Sequence, residues 1–482
     1  MGRDKLDELA DAYDAIVIGS GLGGLTAANQ LAKSGHKVLL LEQHYQLGGL
    51  ATWFRRKGGH IFDISLHGFP FGMVKSCRKY WTKEIADSIV QVKDIRFRNP
   101  QFNLSTTYDR EDFAENLVRL FGVGRNAVER FFSSLGAADF YKDMCLTTRE
   151  LLERYFPNRP DILRLLMEPI AYANGSTFED PAHTYALVFS NFMQKGVYIF
   201  RGGTDALIRK MVGELERNGA VVRICANVER IAIEDGVVRG VKVGGRFVRA
   251  GAVVSNANLK STVLKLAGPE HFNPGFIKEV EAVRMGSSST QVYIGLKHGA
   301  TIPAIGDLIF HSDAPAFSSA SLLARKPVSR TFSVYYPDMR PRRGRTTIVS
   351  STNAEYRDWA GLGEEEYQRQ KQQLIEDTLV CLEQYIPGVR AMVDHVEAAT
   401  PRTVESYTQH LFGASFGTKY EGLKVSRDLP AQVRGLFHAG SVGIIMSGWL
   451  GTVNYGVIVA DRVDRFLHAI KTGRAQPAYA AL

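Results

Sequence analysis

Cysteine is scarce in this chain of 482 residues: Cys77, Cys145, Cys225 and Cys381 lie far apart, and no CxxC pair occurs. That spacing argues against zinc, iron–sulfur and thioredoxin-like chemistry, so no metal centre is expected. It fits free thiols in a reducing, cytoplasmic compartment. Tandem repeats and low-complexity tracts are missing as well. The opening MGRDKLDELADAYD is charged and holds no apolar signal core. Its Met-Gly start lacks the hydroxyl residue of a myristoylation site, because Leu6 stands there. No zinc-knuckle or RNA-binding-sheet signature accompanies the net charge of +9, so nucleic acid is not an expected partner. The charge is compatible with an anionic membrane surface. One run lacks charge altogether. Gly435 to Ala460 is 26 residues without Asp, Glu, Lys or Arg, long enough for a membrane span. Glycines, His438, Asn454 and several hydroxyls interrupt it, and it reads instead as a buried strand, turn and helix.

What is present begins with YDAIVIGSGLGGLTAANQLAKSGHKVLLLEQ, Tyr13 to Gln43. Ala15 to Ile18 is a short apolar strand. A helix through Leu25, Ala28 and Leu31 follows and ends near Gly35. Lys37 to Leu41 is a second strand, ending at Glu42. This βαβ unit opens a doubly wound sheet. Gly19, Gly21 and Gly24 have the G-x-G-x-x-G spacing, with Ser20, Leu22 and Gly23 between them. The first glycine makes the tight turn, the second admits a pyrophosphate to the backbone, and the third lets the helix pack on the strand. The helix N-terminus then offers free N–H groups to the phosphates. Glu42, beside Gln43, stands where a carboxylate accepts from ribose hydroxyls.

Residues 76–195 read as aromatic-rich helices punctuated by Pro157, Pro160 and Pro169. From Arg201 a glycine turn, a helix and a strand precede a β-meander with DG and GG turns. Residues 261–395 contain the strand-like QVYIGLKH, TFSVYYP and RTTIVSST and the long helix EEEYQRQKQQLIEDTLVCLEQYI. The basic cluster MRPRRGR, Met339 to Arg345, reads as a solvated hairpin tip, with a membrane-facing role as the sharper option. The expected fold is α/β: a Rossmann-like FAD/NAD(P)-binding domain from 1–75, 196–260 and 396–482, a helical cap at 76–195, and an α+β substrate region with a mixed sheet at 261–395.

Several stretches favour FAD over NAD. In LGGLATWFRRKGGHIFDISLHG, Gly48 and Gly49, with Leu50, form a second close-approach turn. It resembles the second glycine pair of two-dinucleotide-binding-domain flavoproteins. GHIFDIS resembles their G-x-x-F-D-x-G stretch, with Ser65 in place of the last glycine. RGGTDALIRKM and VERIAIEDG resemble the middle segment, which implies Val228 over the adenine. GLFHAGS resembles the C-terminal strand whose end, at Gly440 and Ser441, meets the pyrophosphate or ribityl chain. No second GxGxxG is present, so a tightly bound NAD is not expected.

Over nearly its whole length the chain resembles phytoene desaturases, carotenoid isomerases and retinol saturases. VSNANLKSTVLKLAG resembles their SNADPxxTxxxLVG, and TPRTVESYT their TPxTxExYT. Their PGxG is represented by Ile445-Met446-Ser447-Gly448, with Gly456 eight residues on; the proline and first glycine are gone. Gly448 still permits a helix from Trp449 and Leu450, whose N–H groups would face the flavin and stabilise negative charge on it. Trp449, Leu450 and Asn454 depart from a surface suited to a flat polyene.

The resemblance implies an FAD-dependent oxidoreductase that desaturates, saturates or isomerises a long apolar isoprenoid, with hydride exchanged at flavin N5. An apolar substrate implies an apolar tunnel and peripheral attachment to the inner face of a membrane, where Arg78, Lys79 and Lys83 beside Tyr80 and Trp81 would dock. His67 is the candidate acid or base, because its titration range suits the task; a structural histidine is the competing reading. Tyr172 and Asn174, in AYANGS, are candidate substrate contacts. Three alternatives compete. An amine-oxidase-like enzyme would draw an aromatic cage from Trp449 and Tyr455. A polyunsaturated-fatty-acid enzyme would set an arginine against a carboxylate. A non-catalytic prenyl-binding escort protein would have a degraded dinucleotide loop, whereas Gly19, Gly21, Gly24 and Glu42 are intact. The sequence carries no signal for an oligomeric state.

Overall fold

The computed structural model describes residues 6, 8–136, 146–340 and 344–473. The buried, β-branched run Ala12–Ile18 lies at the centre of a seven-stranded sheet. It pairs in parallel with Val38–Leu41 on one side and with the far half of Arg246–Ser255 on the other. Val221–Arg223 and Leu436–His438 add parallel strands. The near half of Arg246–Ser255 turns back antiparallel on Val237–Val243, which pairs with Val228–Glu234. This is the expected meander. Its turns fall at Asp235-Gly236 and Gly244-Gly245, all four with positive φ, as tight hairpin turns require.

Helix Leu22–Lys33 leaves the first strand with Leu25, Ala28 and Leu31 fully buried. It packs against the last described helix, Gly448–Thr472. A Cβ on Gly456 would stand 2.5 Å from the Gly23 carbonyl oxygen, so glycine sets that close crossing. The uncharged run from Gly435 to Ala460 is a buried strand, a turn and the first half of this helix. No described helix is long and apolar enough to cross a membrane.

The second seven-stranded sheet runs Val393–Ala399, Ser288–Leu296, Thr347–Ala354, Ser329–Tyr335, Leu308–Ser312, Ile95–Arg98, Asn103–Thr106. Only the pairing of Leu308–Ser312 with Ile95–Arg98 is parallel, so the sheet is mixed. Val292, Ile294, Phe332 and Ile348 face the long helix Glu364–Glu383 and form a second core with it. The opposite face looks toward the first sheet.

Three local expectations differ from the structure. The stretch 76–195 is not wholly helical: Ile89–Gln91, Ile95–Arg98 and Asn103–Thr106 are strands, their apolar residues alternating rather than recurring at helical spacing. Pro169 does not end a helix but sits inside Pro160–Asn174, whose burial holds the turn despite the missing donor. The basic cluster is not simply a solvated tip. Positions 341–343 lie outside the described residues, but Arg340 is buried between two aspartates.

Candidate functional site

The carboxyl ends of the parallel strands meet at the Gly19 turn. Gly19 N–H donates to the Leu41 carbonyl (2.7 Å) and Asn256 N–H to that of Ile18 (2.7 Å), closing the three strand ends together. Glu42 is buried and already engaged: its carboxylate accepts from Ser20 N (2.8 Å), Ser20 Oγ (2.6 Å) and His44 N (2.8 Å). Of about four lone-pair sites, this leaves one for a ribose hydroxyl. Ser20 Oγ in turn accepts from Gly48 N–H (3.1 Å), and Gly21 bridges Gly48, so the two glycine turns form one cradle.

Asn256 braces this cradle. Its Nδ2 donates to the Ala439 carbonyl (2.8 Å), and a Cβ on Gly21 would come within 2.5 Å of its Oδ1. A Cβ on Gly23 would lie 2.2 Å from the Ala439 oxygen, and on Gly24 2.1 Å from the Gly19 oxygen. Real Cβ atoms do not approach so closely, so glycine is obligatory at all three. The helix above has no side-chain cap and no acid in its first turn, so its N–H groups remain available to an anion. The same holds for helix Gly448–Thr472, whose N-cap Ser447 spends its hydroxyl on the Ile444 carbonyl (2.5 Å).

A cavity of about 1090 Å³ runs from this cradle to the second sheet. That exceeds the roughly 300–1,000 Å³ of a site for one small ligand, as a space shared by cofactor and substrate requires. Gly19, Ser20, Gly21, Leu22, Gly23, Glu42, Gln43, Gly48, Gly49, Leu50 and Val228 line its cradle end. Ser441, Gly448, Trp449, Leu450, His67, Tyr172 and Asn174 line it farther along. Two expected contacts are absent from the wall. Gly24 serves the helix–strand packing just described, and Gly440 lies under His438, where a Cβ would be 2.6 Å from Nε2.

His67 reaches the cavity with both ring nitrogens engaged: Nδ1 meets Ser333 Oγ (2.9 Å) and Nε2 meets Gln291 Nε2 (3.2 Å). The Gln291 amide also donates to the Ile64 carbonyl (2.8 Å), and its oxygen accepts from Tyr293. An amide donor at Nε2 makes His67 Nδ1 the protonated nitrogen. Burial lowers its pKa to about 4 against the pull of Asp63, so the ring is neutral at pH 7. Tyr172 packs its ring on Phe310 (5.9 Å), and burial raises its phenol well above the ordinary range. The Trp449 indole donates to the Ser65 carbonyl (3.1 Å), its ring 5.5 Å from Phe69. Tyr455 is buried away from the cavity, with its hydroxyl on Ser426 (2.6 Å), so it forms no cage with Trp449.

Some functional residues escape sequence reasoning. Asp63, at the end of FD, accepts from Thr204 N (2.7 Å), Thr204 Oγ1 (2.6 Å) and Arg340 (2.5 Å); Arg340 also reaches Asp205 (2.7 Å). This buried network ties the second seven-stranded sheet, through Arg340 between two of its strands, to Asp63 and to the start of helix Thr204–Arg217. His410 lines the cavity with Nδ1 donating to the Ala414 carbonyl (3.0 Å). The only sequence signal for Gln291 and Tyr293 is the short alternation in QVYI.

A parallel sheet with a double glycine cradle, joined to a cavity floored by a second mixed sheet, defines a dinucleotide-dependent flavoprotein. The comparison with protein families agrees. The family model described as flavin containing amine oxidoreductase matches residues 22–441, and the chain belongs to that family. It is a flavin-dependent oxidoreductase, and its cofactor is FAD. Among curated relatives, prolycopene isomerase 1, chloroplastic, of an Oncidium hybrid cultivar is 26% identical, over 95% of this chain and 85% of that protein. Human all-trans-retinol 13,14-reductase is 24% identical, over 86% and 78%. Among solved structures, putrescine oxidase bound to putrescine has a TM-score of 0.63 at 16% identity, over 94% of this chain and 99% of that one. An oxidoreductase from Methanosarcina mazei scores 0.63 at 16% identity, over 95% and 99%.

Proposed function

We propose that this enzyme acts on C–C or C=C bonds of a long apolar isoprenoid or carotenoid-like polyene, by desaturation, saturation or cis–trans isomerisation. One observation carries the reading. The cavity that begins at the FAD cradle continues between Tyr108, Phe192 and Phe310 and has no Asp, Glu, Lys or Arg in its wall there. Its charged wall residues, among them Glu42, Glu229, Lys265 and Lys371, stand at the cradle and the rim. An extended apolar chain is stabilised by that surface, and a cation or carboxylate is not. The names of the isomerase and reductase relatives support the same class.

Bound FAD supplies two-electron hydride chemistry, and the protein supplies position and dryness. The uncapped end of helix Gly448–Thr472 directs N–H groups into the cavity, where negative charge is favoured. The Tyr172, Phe310 and Phe192 walls exclude water. His67 holds its proton on Nδ1 toward Ser333 and fixes Gln291, so its role here is positioning. The amine reading loses the expected Trp449–Tyr455 cage, because Tyr455 is buried with its hydroxyl on Ser426. The fatty-acid reading finds no unpaired arginine in the described cavity wall, where the one arginine, Arg56, is paired with Glu397 (2.8 Å).

The enzyme also docks peripherally on the inner face of a membrane in this reading. Leu187 lines the cavity yet is 36% exposed. Lys195, two residues past the helix Ala182–Met193 that carries Leu187, and Lys75 set their ammonium groups 4.7 and 5.6 Å from the Phe71 ring centroid. Apolar contact beside lysines suits an anionic leaflet. Trp81 contributes no anchor, because it is buried. Sedimentation with phosphatidylglycerol vesicles is expected at low salt, reduced at high salt and in Leu187→Asp; equal recovery in the supernatant with and without vesicles refutes docking.

The test of the chemistry is an absorbance spectrum followed by anaerobic incubation of reduced and oxidised enzyme with prolycopene and all-trans-retinol, products resolved by chromatography. Flavin bands near ~370 and ~450 nm are expected, with conversion of a polyene. Bleaching by simple amines, with polyenes unchanged, sinks the proposal.

A further inference from the structure

Among the described residues three histidines line the cavity, His44, His67 and His410. They differ in what their ring nitrogens are left to do. His44 Nδ1 accepts from Gln46 N–H (3.1 Å), so its proton is on Nε2, which is sealed from solvent. His67 has both nitrogens engaged. His410 Nδ1 meets the Ala414 carbonyl (3.0 Å). A carbonyl only accepts, so Nδ1 carries the proton and Nε2 of the neutral ring keeps its lone pair. Nε2 has no hydrogen-bond partner among the described residues, and it is not sealed as the His44 nitrogen is. The ring is half-buried, and the cavity is the space it faces.

The chain holds this ring in a strained loop. Gln409 and Phe412, on either side of it, have φ +54° and +60°, the left-handed region that residues with a Cβ rarely adopt. Thr408 Oγ1 accepts from His410 N–H (3.2 Å), and Gly413 N–H donates to the His410 carbonyl (3.0 Å). Backbone of this kind persists where the surroundings fix it, and it gathers at functional sites. Two contacts fix it here. Ser415 Oγ meets Ser289 Oγ (3.1 Å), on the strand that carries Gln291. Ser441 Oγ donates to the Phe416 carbonyl (3.2 Å), at the start of the turn that leads into helix Gly448–Thr472. The loop thus bridges the second sheet and the turn before the uncapped helix end.

Burial lowers the His410 pKa, and the bond to Ala414 restores it only in part, so the ring is unprotonated at pH 7. The titratable groups around it are spent. Glu405 holds the Tyr356 hydroxyl and Phe412 N–H, and Lys419 pairs with Asp180 (3.0 Å). His438 is closed between Ser426 and the Ala257 carbonyl. The second sheet brings only the hydroxyls of Ser288 and Ser289 to this loop. A neutral imidazole with its lone pair turned into a ligand cavity is a general base in its resting state. It accepts a proton and has none to supply from Nε2. Among desaturation, saturation and isomerisation, that suits loss of hydrogen from a saturated bond.

We propose that His410 is the proton acceptor of this site and that the reaction it serves is dehydrogenation. One substrate carbon loses its hydrogen with the bonding pair, as hydride, which reduces the oxidised FAD. The neighbouring carbon gives its proton to His410 Nε2, and the C=C bond forms between the two. Two electrons pass to the cofactor, and the imidazolium returns its proton to water. This inference rests on the isoprenoid reading above and narrows it.

Two measurements on the FAD-loaded full chain test it. Diethylpyrocarbonate acylates unprotonated imidazole nitrogens. Peptide mapping at pH 7 is expected to find His410 modified in the native protein and protected by phytoene, with the exposed His298 and His468 labelled equally in both. His410 left unlabelled until the chain is denatured overturns the inference without any variant. The second measurement is anaerobic single-turnover bleaching of the flavin by phytoene. Its rate is expected to rise with pH and level off below neutrality. His410→Asn keeps an amide donor for the Ala414 carbonyl and removes the lone pair. It is expected to be slower by about 100-fold and to lose that pH step, with flavin content unchanged. A variant as fast as the unaltered chain overturns the inference and leaves the isoprenoid reading intact. Conversion of prolycopene without bleaching by phytoene does the same. Conversion of no polyene overturns both.

Discussion

Arg340 offers a sharp test of what holds the two sheets together. Its guanidinium is buried between Asp63 and Asp205, both themselves buried. Arg340→Met keeps much of the apolar stem and removes the charge. Asp63 then retains only the two Thr204 donors, and Asp205 only Arg209, which is 62% exposed. Breaking a buried pair from one side costs about 3–5 kcal/mol, because a charge is left uncompensated. Against a total stability of roughly 5–15 kcal/mol this is a large fraction. The contrast is Arg209→Met, which removes the exposed partner of the same Asp205 and is expected to cost less than about 1 kcal/mol. Denaturation should be followed both by far-UV circular dichroism and by flavin release, since a chain with two cores need not unfold in one step. Arg340→Met should release flavin first, because the hairpin that carries Arg340 clamps Asp63 and Thr204 beside the cradle. Asp63→Asn in the Arg340→Met background should recover part of the loss by removing an unpaired charge. If Arg340→Met and Arg209→Met unfold alike, or if Asp63→Asn deepens the loss, the network is not the tie described here.

Gly23→Ala places a Cβ 2.2 Å from the Ala439 oxygen, so the purified variant should carry little or no flavin at 450 nm; full occupancy contradicts the cradle geometry. His438 is 1% exposed, donates from Nε2 to the Ala257 carbonyl (2.9 Å), and burial lowers its pKa to about 4 from 6.5. The unfolded chain therefore binds a proton that the fold refuses. Stability should be complete above pH 6.5 and fall as pH drops toward 4, with about 3 kcal/mol from this group, a slope that His438→Gln should flatten. Burial pushes the Cys77 thiol up to about 12 and Cys381 to about 11, while Cys225 is exposed. In a Cys145→Ser background, a maleimide should label Cys225 in native enzyme and the other two only on denaturation, as peptide mapping would show.

The cofactor half of the molecule was legible because its constraints are local. A tight turn, a close helix crossing and a ribose acid each fix a residue type at fixed spacing, so Gly19, Gly21, Gly24 and Glu42 announce the cradle within one βαβ unit. Even there the reasons shift in three dimensions: Gly21 makes room for Asn256, which arrives from the end of the meander. The half built on the second sheet was less legible because its logic is non-local. Ile95–Arg98 reads as part of a helical region until its partner Leu308–Ser312 is known, and Arg340 reads as solvated until Asp63 and Asp205 close on it. His67 sits at the cavity as its position after FDIS suggested, yet its protonation is set by Ser333 and Gln291 from the other sheet. The alternation of QVYI has the same pattern as a solvent-facing strand, and nothing within the segment distinguishes water from a ligand cavity. That distinction depends on the helix Pro160–Asn174 laid across the face. Asn174 shows the same limit: the sequence singles it out, but that its side-chain oxygen is spent on Ser176 N–H at the end of that helix is visible only in the fold.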